Sequence, residues 1–428
     1  MKTLRNKTLG LTRAKKHFHA RLPLAASLIG IWSQTALAQP ICNITQITNG
    51  NTFGAIIQRN NAAINADGTR IAFHLDADLT GGNPDRNHEI FLFDSNTNTI
   101  TQITNTTSGA APTNHAPSLN ADGTRIAFEA TADLTGQNPE LNREIFLFDA
   151  AAGTFRQLTK NAGVGQAYLP SLNADGTRIA FESNANPTGQ NPNGNFEIDL
   201  VDTVSNSIAQ ITNSPARIGS FNASISANGT RIAFDSDEDL TGGNPDFSRE
   251  IFLFDTATNT TTQLTNSIES GDGIGNFAPS INAEGTRIAF HSNRDLTGSN
   301  ADGNDEIFLV DTTAGTLTQI TNSTGGEPLL ENYSASINAD GTHIAFVSGR
   351  DLTGSNPDST LEIFLFNTVT NAFSQVTNAT AGDSISPSIN SDGTRIAFVS
   401  RSDLTGGNSD NFDEIFLANC EEPAELLP

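Results

Sequence analysis

Asn120-Ala121-Asp122-Gly123-Thr124-Arg125-Ile126-Ala127-Phe128, with Glu144-Ile145-Phe146-Leu147 downstream of it, is the stretch that decides the fold. Asp-Gly supplies a tight turn, because glycine takes positive φ without steric cost. Thr124–Glu129 and Glu144–Asp149, rich in Ile, Phe and Leu, read as strands. The block recurs along the chain. Its Ile-Ala-Phe places Phe at 73, 128, 181, 234, 290, 346 and 398, at steps of 55, 53, 53, 56, 56 and 52 residues. From that Phe to the Glu of the next strand is 16 residues in all seven units. From that Glu to the Gln of a closing Gln-x-Thr segment is 13 residues in the six complete units.

Each unit reads as four short strands. In the second unit these are a polar-apolar strand around Pro117–Asn120, the two strands above, and an alternating strand Thr154–Thr159. No stretch has helical periodicity of useful length. Four-strand units at this period predict an all-β, seven-bladed β-propeller. A β-rich solenoid is the alternative, and it needs capping repeats. The ends favour a closed ring. The seventh unit stops at Glu414–Cys420 without a Gln-x-Thr strand, and an orphan copy, Ile44–Asn49, stands near the N-terminus. That N-terminal strand is expected to complete the last blade and so remove exposed sheet edges. By alignment, Cys420 falls at the position of Ser95 and Cys42 at that of Asn98, the two ends of a tight turn. Turn ends lie within about 7 Å, which suits a disulfide. Cys42–Cys420 is therefore expected to stand in for the missing turn, contributing on the order of 4–5 kcal/mol in the loop-entropy picture.

The chain has 428 residues and a formal net charge of -24. Residues 1–21 hold seven Lys or Arg and no acid; an apolar run and Thr35-Ala36-Leu37-Ala38 follow. This pattern predicts a secretory signal peptide, residues 1–38, cleaved after Ala38, leaving a single domain, 39–428. Cleavage removes seven of 23 basic residues and none of the 47 acidic ones, so the charge becomes −31. A secreted or periplasmic location follows, in a compartment where two cysteines pair. So acidic a chain argues against nucleic acid as a partner. No later apolar run is long enough for a transmembrane helix.

The Asp-Gly-Thr-Arg-Ile-Ala-Phe and Glu-Ile-Phe-Leu blocks resemble the propeller repeat of the TolB family, WD-repeat-like propellers of the bacterial envelope. The resemblance spans about residues 44–420. It implies an exported propeller that binds other proteins. The chain departs from TolB in two ways: it carries no α/β domain ahead of the propeller, and it has seven units where TolB has six. The resemblance also extends to enzymatic propellers, so it leaves function open.

Length variation is confined to the link between the fourth strand and the next unit, as at Glu327–Asn332. In an up-and-down blade that link and the long second-to-third loop emerge on one face, the expected binding face. The long loops open on Asp78, Asp133, Asp239, Asp295, Asp351 and Asp403, with Asn186 in the third unit, a candidate polar ring. Such oxygen-rich loops are expected to be self-bonded turns, with calcium as the one cofactor considered. The sevenfold Glu that opens each third strand is expected to bond the loop above it. The Arg that starts the second strand in six units, replaced once by His343, is expected to pair with the Asp ending the third, such as Asp94 or Asp149. His74, His88, His115, His291 and His343 lie in different units or without zinc-ligand spacing, and are expected to be ordinary surface or loop residues. No nucleophile elbow or phosphate loop is present. The expected function is a monomeric, non-enzymatic protein-binding module. The alternatives are a calcium-binding propeller and a carbohydrate-active enzyme with a channel-mouth site; close carboxylates there would favour the enzyme, a uniform polar ring the module.

Overall fold

Seven antiparallel sheets of four strands each form the molecule, in a computed structural model that describes residues 40–50, 62–107, 113–161, 163–214, 219–267, 274–324 and 332–421. The expected signal peptide and most of the Glu327–Asn332 link lie outside the described residues. In blade 2 the strands are Asn114–Leu119, Arg125–Ala130, Glu144–Asp149 and Thr154–Gln157, paired in sequence order. No helix among the described residues is long and apolar enough to cross a membrane.

The repeat explains the packing. Opposed residues of the second and third strands pair the two Phe of each unit, as Phe73 with Phe91 and Phe128 with Phe146. Six blades stack these rings at centroid distances of 5.6–5.9 Å. Each stacked pair packs on the Ala, Ile and Leu face of the preceding blade; Phe73 and Phe91 meet Ala397, Ile415 and Leu417 of blade 7. Burying each ring stabilises the fold by about 1.5–3 kcal/mol. Blade 3 departs from this pattern. Asp199 stands opposite Phe181 where the others have Phe, and it is 2% exposed.

Closure occurs as expected. Strand Ile41–Gln46 pairs with Glu414–Glu421 as the outer strand of blade 7. Cys42 lies opposite Cys420 and the two form a disulfide, with Cα atoms 4.0 Å apart. The seam shares the hairpin contact of the other junctions. At each hairpin between first and second strands, one backbone N–H donates to the next blade's hairpin. The chain of bonds runs from Ala66 to Ala121, Ala174, Ala227, Ala283, Ala339 and Ser391, and from Ser391 back to Ala66, at 2.9–3.2 Å.

A second belt uses the arginines. The expected rim pairs form in blades 1, 2, 4 and 5, with Arg70–Asp94 and Arg287–Asp311 at 3.1 Å; blades 6 and 7 place Asn367 and Asn419 opposite His343 and Arg395 instead. The same guanidinium also reaches the neighbouring blade: Arg70 donates to the carbonyl of Gly123 at 3.2 Å, and Arg395 to that of Gly68 at 3.0 Å across the seam.

The sevenfold Glu is buried and structural, with a different partner from the one expected. It anchors chiefly the exit of the fourth strand. A Thr hydroxyl there bonds the carboxylate, as Thr159 does to Glu144 and Thr48 to Glu414. A backbone N–H two residues later adds a bond of 2.5–2.7 Å, from Asn161 to Glu144, Ala379 to Glu362 and Gly50 to Glu414. The loop residue two before the strand also donates in some blades, as Ser248 does to Glu250 and Thr360 to Glu362. Burial pushes the Glu414 carboxyl up to about 7.

Candidate functional site

The first strands line a central channel with a cavity of about 270 Å³. Ser118, Ser171, Ser224, Ser280, Ser336 and Ser388 circle it, and Ala63 holds the seventh position. Each of these hydroxyls accepts a backbone N–H from the next first strand, as Ser118 does from Leu172 at 3.0 Å and Ser388 from Ile64 at 3.3 Å. The channel wall is thus a nearly uniform, internally satisfied polar ring.

Diversity begins one step toward the loop face. In blades 2–7 the first strand shifts register just after its second residue. The residue at the bulge takes positive φ: Ala116, Leu169, Asn222, Ala278, Ser334 and Ser386, at 48–55°. None is glycine, and such a conformation costs on the order of 1–3 kcal/mol unless its surroundings impose it. A bulge also re-aims the adjacent side chains.

Three positions meet at each of the six junctions from blade 1 to blade 7: the residue after Ile-Ala-Phe, the residue before the buried Glu, and the residue ahead of the next blade's bulge. The second of these is held by the backbone, since the carbonyls of Arg143, Phe196, Arg249, Asp305 and Leu361 each accept an N–H from the following blade. The junction contents differ all round the ring. They are His74, His88 and His115; Glu129, Arg143 and Tyr168; Glu182, Phe196 and Phe221; Asp235, Arg249 and Phe277; His291, Asp305 and Tyr333; Val347, Leu361 and Ile385.

The acids serve the fold first. Glu129, Glu182 and Asp235 accept the bulge N–H of Leu169, Asn222 and Ala278 at 2.8, 2.9 and 3.0 Å. Arg143 pairs with Glu129, and Arg249 with Asp235 at 2.5 Å. These guanidiniums lie over aromatic faces, Arg143 at 5.1 Å from Tyr168 and Arg249 at 4.5 Å from Phe221. Burial, with Asp235 and Glu129 adding repulsion, raises Glu182 to about 7.

The first junction corrects the expectation for histidine. His74 is fully buried and His115 is 2% exposed; His88 is half-buried. Their rings stand 4.7–5.8 Å apart, centroid to centroid. One ligand nitrogen from each lies within 4.8 Å of the other two. Both ring nitrogens of His74, and Nδ1 of His88 and of His115, are buried without a hydrogen-bond partner. Each such atom costs about 1–3 kcal/mol in desolvation. Burial lowers all three pKa values, His74 well below its ordinary value and His115 to about 3, so the imidazoles are neutral. Among the described residues this is the one group of three His, Cys, Asp or Glu side chains close enough to share an ion.

The aspartate loops lie elsewhere. Asp78, Asp133, Asp239, Asp295, Asp351 and Asp403 are exposed. Each accepts the backbone N–H of the Asn five residues on, at 2.9–3.0 Å. The loop Thr bonds the Gln of its blade's outer strand, as Thr80 with Gln102 at 2.9 Å. These loops therefore lean outward, away from the channel, and each carboxylate caps its own turn.

No protein-family model and no curated protein matches this sequence. Solved structures do. An oligogalacturonate lyase from Vibrio parahaemolyticus aligns with a TM-score of 0.58 at 12% identity, over 90% of this chain and 97% of the lyase. The propeller domain of the Trilobed protease from Pyrococcus furiosus, described as an open velcro, aligns at 0.54 and 10% identity, over 86% and 99%. TolB from Acinetobacter baumannii matches at 0.45 and 18% identity, over 75% of this chain and 66% of TolB. At these identities the likeness is one of fold.

Proposed function

We propose that this chain is an exported, non-catalytic β-propeller that binds a protein partner across the channel mouth on its loop face. The observation behind this reading is where the repeat varies. Core, hairpins, anchoring Glu and serine ring are held nearly constant, while the junction positions at the mouth differ from blade to blade. Half-buried Tyr168, Phe196, Phe221, Phe277 and Tyr333 follow one another there across blades 3–6. Such aromatics supply large contact area at low entropic cost, and Arg143 lies over Tyr168 and Arg249 over Phe221 and Phe277. The disulfide accords with an oxidising compartment.

The test is capture of partners from envelope and medium fractions by the wild-type protein and by Tyr168→Ala/Phe221→Ala. Partners held by the wild type and lost by a folded double variant support the reading; a partner set unchanged by the variant ends it. A second reading has one observation in its favour, the Glu182 carboxyl raised to about 7 beside Glu129 and Asp235. That reading is a glycan-active enzyme. Turnover of an acidic-oligosaccharide panel, abolished by Glu182→Gln, would establish it in place of the first.

A further inference from the structure

We propose that His74, His88 and His115 bind one divalent transition-metal ion of the zinc type, clamping blade 1 to blade 2. Two histidines come from blade 1, at the end of its second strand and just before its third. The third comes from the first strand of blade 2, ahead of the bulge at Ala116. No two of them are close in sequence, so only the fold assembles the set.

The chemistry selects the ion. The set offers imidazole nitrogens with no thiolate and no carboxylate, which suits zinc, nickel, cobalt or copper and not calcium or magnesium. Neutral imidazoles are the ligating form, and four buried ring nitrogens of the set have no hydrogen-bond partner. Asp76 acts on His88 through its charge and stands outside the ligand set. Two nitrogens on one zinc at about 2.0–2.1 Å lie roughly 3.3 Å apart in a tetrahedron. The present separations, up to 4.8 Å, have to shorten by about 1.5 Å for all three to share one ion. Three protein ligands leave a fourth position open.

Packing alone does not account for the trio. Equivalent junctions fill the same place with Phe196 against Phe221, or with Val347, Leu361 and Ile385, which carry no nitrogen to leave unsatisfied. His291, at the position of His74 in blade 5, stacks on Phe277 at 5.5 Å and belongs to no such cluster among the described residues. It serves as the internal control.

The experiment uses the intact protein, stripped with chelator, and the metal alone as probe. Calorimetry with Zn²⁺ is expected to give one saturable site, and Zn²⁺ is expected to raise the melting temperature, reversibly with chelator. Co²⁺ is expected to give the visible bands of a low-coordinate nitrogen site. His88→Ala changes the most exposed member. It should weaken binding by more than the roughly 10–100-fold cost of losing an outer-shell partner and erase the cobalt bands. His291→Ala should leave both unchanged. Far-UV circular dichroism of each apo variant verifies folding, and His88→Gln is the second variant if His88→Ala fails. Absence of saturable Zn²⁺ binding to the wild type, or binding equally strong in folded His88→Ala or His88→Gln, overturns the proposal. It stands independently of the partner reading, whose aromatic side chains lie at other junctions.

Discussion

At the scale of the residue, Asp199 shows what the repeat normally supplies. Six blades place Phe at its position, and here a carboxyl lies buried against Phe181 with Oδ1 unpartnered. Burial, with Glu197 adding repulsion, raises it to about 8. The folded state thus holds this proton to higher pH than the unfolded chain does. Its contribution to stability is complete below the unfolded value near 4 and is lost as pH rises through about 8. Asp199→Phe is expected to stabilise the protein by about 1–3 kcal/mol at neutral pH. The fall in melting temperature between pH 5 and pH 8.5 should also be smaller in the variant than in the wild type; equal slopes would refute the assignment. The histidine trio teaches a different lesson about legibility. Zinc spacing read along the chain fails at 74, 88 and 115, because strand pairing and a bulge, not helical or loop spacing, bring them together. The signal was available by stacking the seven units. The residues after Ile-Ala-Phe and before Glu-Ile-Phe change in chemical type while their flanks do not.

At the scale of the element, the hairpin of each blade is where neighbours grip one another. Gly123 has φ 67°, and a Cβ there would sit 2.7 Å from Cδ of Arg70. Gly153 has φ 64° in a third-to-fourth-strand turn with no atom within 4 Å of such a Cβ. Gly153→Ala should therefore cost only the backbone term of about 1 kcal/mol. Gly123→Ala should cost roughly 2–4 kcal/mol, the excess being the displaced clasp. Equal losses in chemical denaturation would show that the clasp contributes nothing. The strand pattern, the turns and the Arg–Asp pairs were legible because each depends on residues within one unit. The Arg-to-Gly bonds and the serine ring were not, because both run between units. Spacing within a repeat carries no record of what its neighbour presents.

At the scale of the whole molecule, the ring closes within blade 7. Six residue pairs join its outer strand to its third, and the disulfide lies among them. Cys42→Ser/Cys420→Ser is expected to fold, since strand pairing and the hairpin belt remain. It should lose about 4–5 kcal/mol of stability, with hydrogen exchange rising first in the outer strand of blade 7. Exchange rising uniformly round the ring would mean that the seam is not its weakest point. The hairpin belt has a further consequence. Its seventh bond, from Ser391 to Ala66, is the same as the other six. The fold therefore has no privileged first blade. Bridging residues 420 and 42 with an ordinary turn and reopening another third-to-fourth-strand turn would be a circular permutation that preserves every junction. Where the polypeptide starts is a property of the gene, and the ring is indifferent to it.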